Sequence, residues 1–262
     1  MGPLLRTAVR KAAWRLVPFL LLLYILAFLD RVNISYAKQA FLRDTGLGEA
    51  AYAFGAGIFF AAYALFEIPS NLALSRVGAR RWIGATMILW GLISAAMMLA
   101  HTAPVFYALR FLLGAAEAGF FPGMIWYLGS WFPAGARGGI FGVFYFGAPL
   151  AQIFGGPLCG LLLGIDRAGG LRGWQWMFLI EGALAVVVGA VACGYLTRRP
   201  AEARWLEPEE RAALEAQLAA EEAGKEGGAA HGGLPAFVQG RVWRLGLIYG
   251  LIQMSVYGVT FY

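Results

Sequence analysis

Long uncharged runs separated by short polar breaks dominate the chain. Seven stretches suit membrane spans, which need about 20 mostly apolar residues: Leu16–Ala37, Tyr52–Leu74, Trp82–Ala100, Val105–Gly129, Gly138–Gly164, Trp174–Leu196 and Leu245–Tyr262. The connections among the first six are short. Residues 197–244, by contrast, are long and polar. There "EPEERAALEAQLAAEEAGKEGGAAHGG" predicts an amphipathic helix followed by a Gly-rich flexible stretch. The pattern divides the chain into a basic N-terminus (1–15), a six-helix bundle (16–196), a linker with its helix (197–244) and a seventh span (245–262). The seventh run stops at Phe261–Tyr262 without a flanking charge, as a truncated span would, and five further spans are expected in the intact protein.

Composition sharpens this picture. Of the 262 residues 60% are hydrophobic and 14% charged, whereas soluble domains are roughly half apolar and a quarter charged. An all-α integral membrane protein follows without any motif. The basic start and leucine run also suit a secretory signal peptide. That segment continues too long, however, and lacks a clear small-x-small cleavage site, so it is read as an uncleaved first span. Cys159 and Cys193 both lie in apolar runs and form neither a disulfide framework nor a metal spacing. His101 and His231 stand apart, with no metal-ligand cluster, nucleophile–base pair or phosphate-binding glycine loop around them. Neither a cofactor nor an enzyme is expected.

The net charge of +6 would point to nucleic acid in a soluble protein, but here it reads as orientation. The segment before span one has Arg6, Arg10, Lys11 and Arg15. The second connection has Arg76, Arg80 and Arg81, the fourth has Arg137, and the long linker carries seven more basic residues. Only Lys38, Arg43, Arg167 and Arg172 fall on the other side. The N-terminus and linker are therefore expected in the cytoplasm of a multi-pass protein of the bacterial inner membrane.

Two basic residues remain, both inside spans. A helix entering at Leu16 reaches Arg31 after roughly 22 Å, about 8 Å short of the far side of a core about 30 Å thick. Arg110, entering from the opposite side at Val105, lies at the same depth of about 8 Å. Glu117 follows Arg110 by seven residues, on the same helix face and close to the midplane. Charges at such depths are costly unless they face a partner or a wet cavity. Two arginines at one depth suit an anion, because the guanidinium fork matches a carboxylate bidentately. Burial favours a neutral carboxylic acid and nearby arginine favours its ionised form, so substrate charge and carboxylate protonation can be coupled. In the structural alternative, Asp30 or Glu117 only neutralises an arginine and pins two helices together. Glu67 is expected to pair with the basic loop 76–81, and Glu181 to be structural. Tyr63 and Gln152 could hydrogen-bond either a substrate or a neighbouring helix. The glycines of "GAAEAG" and "GAPLAQIFGGPLCG" allow close helix approach and bending.

Several of these stretches resemble one family. "NLALSRVGARRWIG" is similar to the loop between spans two and three of the major facilitator superfamily, with Asn71 and Ser75 where glycine and aspartate are commonest. "FLDRVNIS", "EIPSNL", "GARRWIG", "RFLLGAAEAGFFPG", "WQWMFLIEG" and "ARWLEPEER" together resemble its anion:cation symporter branch. The resemblance covers nearly the whole chain. It implies an N-terminal six-helix bundle of 3+3 inverted repeats plus the start of span seven. It also implies proton-coupled uptake of sugar acids, tartrate or aromatic carboxylates. By the same resemblance Arg31 holds the substrate carboxylate, Asp30 and Glu117 couple the protons, Arg110 interacts with Glu117, and Tyr63 lines the pocket. Gln152 is added on composition and span alone. Arg76, Gly78, Arg80 and Arg81 would form a cytoplasmic gating loop. The expected partners are a small organic carboxylate, protons and the lipid bilayer, with no nucleic acid, and the protein is expected to be monomeric. Anion exchange and sodium coupling remain open alternatives, with an integral-membrane enzyme or a transporter-like receptor more remote.

Overall fold

The computed structural model of the chain describes residues 2–226 and 240–261, and it is all-helical there. His231 and the Gly-rich stretch lie outside the described residues. Helix α1 spans Pro3–Thr45, α2 Glu49–Val77 and α3 Ala79–Ala96, the last continued by a short 3-10 turn at Met97–Leu99. The fourth span is α4 (Ala103–Glu117) with α5 (Phe120–Trp131), and the fifth is α6 (Ala134–Tyr145) with α7 (Gly147–Leu163). Helix α8 covers Gly173–Tyr195, α9 Pro208–Glu226 and α10 Gly240–Phe261. Among the described residues six helices are long and apolar enough to cross a membrane. Helix α10 supplies the start of a seventh, with an apolar stretch at Trp243–Ile252.

Helix packing follows an inverted repeat. The third and sixth spans pack along each other through α3 and α8, the second lies along the fourth through α2 and α4, and the fifth along the first through α7 and α1. Exchanging spans one to three with four to six maps this set of contacts onto itself, as 3+3 repeats require. Small residues bring the helices close. A Cβ on Gly182 would stand 2.5 Å from the carbonyl oxygen of Gly91. Large apolar side chains such as Leu65, Ile68, Ile153, Phe154 and Val187 remain on the outside, as lipid-facing helices need.

Three features depart from the expected helices. The basic N-terminus is not a separate segment, because α1 runs without interruption from Pro3 through Pro18 to Thr45. Span four is broken at Ala118–Gly119, just after Glu117. The Trp82 indole N–H donates to the Gly119 carbonyl at 3.1 Å, and any Cβ there would meet Ser70 and Trp82 at 2.7 Å. Span five is broken at Phe146, where Gly147 lies against the Tyr24 ring with no room for a side chain.

The linker helix packs on the bundle. Lys11 pairs with Glu210 at 2.7 Å, and Trp205 stacks on Trp131 with ring centroids 5.6 Å apart. Glu221 accepts the Ala134 N–H at 2.9 Å, occupying the N-terminus of α6. The N-terminus, the 76–81 loop, Arg137 and α9 thus share one end of the bundle. Lys38, Asp44, His101 and Arg172 share the other.

Candidate functional site

The site is built where α1, α2, α3 and the end of α4 meet. Arg31 reaches from α1 to Glu117 on α4, and both its Nη2 (2.9 Å) and its Nε (3.3 Å) donate to Glu117 Oε2. Glu117 is buried, whereas 19% of the Arg31 side chain is exposed, so the pair has one sealed member and one accessible member. The Arg31 guanidinium lies 5.0 Å from the Tyr63 ring centroid and 5.8 Å from that of Phe59. Arg110 is fully buried and lies 4.5 Å from the same Phe59 ring. The two guanidiniums, from α1 and α4, thus share one phenyl ring. The ring's electron-rich face favours such cations.

Arg110 does not form an ion pair with Glu117 among the described residues. Its Nε donates to the Gly55 carbonyl at 3.3 Å, and its Nη2 is buried without a hydrogen-bond partner. The seven-residue spacing does bring both side chains to one face, but α1 supplies the cation that Glu117 binds. Asp30 is buried beside Glu117. Its Oδ1 accepts from the Ser94 hydroxyl of α3 and from Asn33 Nδ2 at 3.3 Å. Asp30 Oδ2 and Glu117 Oε1 are buried with no donor on them. Unsatisfied buried oxygens of this kind are rare, and each leaves a place where an added proton would complete the bonding.

The other candidates are placed as follows. Tyr63 is half-buried under Arg31. Gln152 is exposed on α7 and makes no side-chain hydrogen bond among the described residues. Glu67 is exposed and, among the described residues, makes no ion pair with the 76–81 loop. It lines a crevice of about 590 Å³ with Asn71, Ser75, Trp126 and Tyr145. The expected pairing fails because the arginines turn elsewhere. Arg80 donates to the Cys193 carbonyl at 2.8 Å, at the negative C-terminal end of α8, while Arg76 and Arg81 are exposed. Gly78 makes the turn between α2 and α3 with φ +86°, a conformation that other residues rarely adopt. Reading the sequence alone misses Ser94, Asn33 and Phe59. Asn33 could have been found, since it follows Asp30 by three residues on the same helix face. Ser94 and Phe59 carry no comparable local signal.

Comparison with known proteins agrees with this architecture. The family model of the Major Facilitator Superfamily matches residues 20–262. The inner membrane transport protein RhmT of Escherichia coli is 50% identical over 259 residues, covering 99% of this chain and 60% of that protein. A putative tartrate transporter of Agrobacterium vitis is 50% identical over 240 residues, covering 92% and 55% respectively. The inward-open xylose transporter XylE of E. coli superposes with a TM-score of 0.67 at 19% identity, over 95% of this chain and 63% of XylE. The chain thus spans about three-fifths of the length of these curated relatives, which are transporters rather than enzymes. On the match of its sequence and of its helix packing, this multi-pass membrane chain belongs to the major facilitator superfamily.

Proposed function

We propose that the intact protein is a secondary active transporter that takes up an organic acid anion together with protons, by alternating access. The observation that carries this reading is the Arg31–Glu117 pair, buried at the acid and accessible at the arginine. An entering carboxylate competes with Glu117 for the guanidinium fork. Protonation of Glu117 removes its charge and frees the fork, so the anion and a proton load together. Asp30, with one oxygen lacking a donor, is the second proton-coupling acid. Tyr63 and Gln152 line the substrate path, and Arg110 supplies positive charge behind the acids without binding substrate itself.

The names of the relatives support the substrate class. A tartrate transporter carries a hydroxylated dicarboxylate, and a sugar acid or an aromatic carboxylate offers the same carboxylate to Arg31. The six-helix half (16–196) would rock against the remainder of the intact protein, with the 197–244 linker between. The Arg76–Arg81 loop would lie at the cytoplasmic gate. The excess of basic residues at that end favours a cytoplasmic N-terminus in a bacterial inner membrane. The protein would act as a monomer.

The test is uptake of a panel of labelled acids by the full-length protein in proteoliposomes, with internal pH followed at the same time. Substrate entry accompanied by internal acidification supports the proposal. Entry driven by a sodium gradient, or only in exchange for internal anion, would replace symport by one of those modes.

A further inference from the structure

Glu181 sits on α8, was expected to be structural, and has no part in the mechanism above. Its side chain is buried and makes no ion pair among the described residues. Both oxygens are nevertheless engaged. Oε2 accepts from Asn33 Nδ2 at 3.0 Å, and the Cys159 thiol of α7 donates to Oε1 at 3.4 Å. The same Asn33 nitrogen donates to Asp30 Oδ1, so one amide spends its two hydrogens on two acids from different spans. The amide oxygen of Asn33 is buried without a partner.

The charges around this network do not balance. Among the described residues the cations of this network are Arg31 and Arg110, against Asp30, Glu117 and Glu181, leaving one surplus negative charge if all three acids are ionised. An isolated buried carboxylate is so costly that it takes up a proton instead. Glu117 is held by Arg31, and Asp30 lies between that pair and Asn33 with a hydroxyl and an amide on one oxygen. Neither Asp30 nor Glu181 makes an ion pair among the described residues, but Arg110 still acts on Asp30, whereas no arginine acts on Glu181. The groups that face it are Asp30 and Asn33 from α1 and Cys159 from α7. Tyr36 lies beyond Cys159, near Gly155, and Ser94 of α3 reaches the network only through Asp30.

We infer that Glu181 is a third acid of the coupling site, carrying the proton that balances the buried charges and linked to Asp30 through Asn33. Protonated, it keeps the Asn33 bond on one oxygen and donates its own hydrogen from the other to the Cys159 sulfur. A change of charge on Asp30 then reaches Glu181 through a single amide. Glu181 is thus a positioning residue for Asp30. The inference deepens the symport reading and rests on it for the use made of the proton.

The presence of the proton is tested without transport. Infrared spectra of the full-length protein in detergent at neutral pH should show the carbonyl stretch of a protonated, weakly hydrogen-bonded carboxyl. That band should vanish in Glu181→Gln and persist in Glu117→Gln. A band that survives in folded Glu181→Gln overturns the inference, whatever the protein transports. Should Glu181→Gln not fold, Cys159→Ala removes the sulfur bonded to the acid and should shift the same band, and an unshifted band is equally fatal. For the link to Asp30, the alkaline limb of the exchange-versus-pH profile should move to lower pH in Glu181→Gln, because glutamine never supplies the negative charge by which an ionised Glu181 holds the proton on its neighbour. A profile that keeps its wild-type midpoints would leave Glu181 a purely structural residue.

Discussion

Arg31 and Glu117, 86 residues apart in the chain, meet through two guanidinium N–H groups on one carboxylate oxygen, at 2.9 and 3.3 Å. Removing one partner from a buried pair leaves an uncompensated charge, so the bond is costly to break except by neutralising the acid or by offering the arginine another carboxylate. On the symport reading proposed above, protonation of Glu117 and arrival of an organic anion would be those two events, and the pair would make each depend on the other.

Arg31→Lys should weaken substrate binding while leaving the fold intact. Lysine keeps the charge but loses the planar fork that engages a carboxylate at two points. One hydrogen bond to a charged group contributes about 1.5–3 kcal/mol, so the dissociation constant should rise by about tenfold to 100-fold. Equilibrium binding of a labelled acid to the purified full-length protein measures this.

Gly182→Ala should destabilise the bundle. The added Cβ would stand 2.4 Å from the Ala95 nitrogen and 2.5 Å from the Gly91 carbonyl oxygen, so α3 and α8 must separate. Overpacking of this kind costs about 1–3 kcal/mol. Thermal unfolding followed by fluorescence-detected size exclusion should show a lowered Tm, while Gly160→Ala, where the new Cβ has open space, should not.

The linker helix offers a pH-dependent contact outside the membrane. The Lys11 ammonium, hydrogen-bonded to Glu210, holds that carboxyl below its usual value. A depressed folded value means that the contribution is fully present above the unfolded value of about 4.3 and is lost as pH falls through the lower folded one. At neutral pH, Glu210→Gln should increase amide exchange across α9. In the wild type the same loosening should appear only at acid pH. Because Lys11 is partly exposed, the effect is small and should shrink further in high salt.

The spans were legible because hydropathy is local. Predicted spans one, two and four fall within their helical units, while three, five and six overrun theirs by one residue, at Ala100, Gly164 and Leu196. The contacts made by those residues were less legible. Spacing within one helix placed Arg110 and Glu117 on a shared face, but the cation bound to Glu117 comes from α1. Similarly, Asp30 is tied to Ser94 of α3 and, through Asn33, to Glu181 of α8. Such pairings depend on which helices pack together, and no local pattern encodes that. The breaks at Gly119 and Phe146 were hidden for the same reason, since they arise from the approach of Trp82 and Tyr24. Glu67 misled because nearness in sequence to the basic loop did not turn its side chain towards Arg80, which binds the end of α8 instead.

Glu117→Gln separates binding from energy coupling, because glutamine reproduces the protonated acid in shape while removing its charge. The measurement uses the full-length variant in proteoliposomes, comparing accumulation under an imposed pH gradient with exchange at equal substrate on both sides. Exchange should persist, since Arg31 is permanently released to bind the anion, and proton-driven accumulation should be lost. A Glu117→Gln protein that still concentrated substrate at the wild-type rate would contradict this role for the Arg31–Glu117 pair and move the coupled proton elsewhere, first to Asp30.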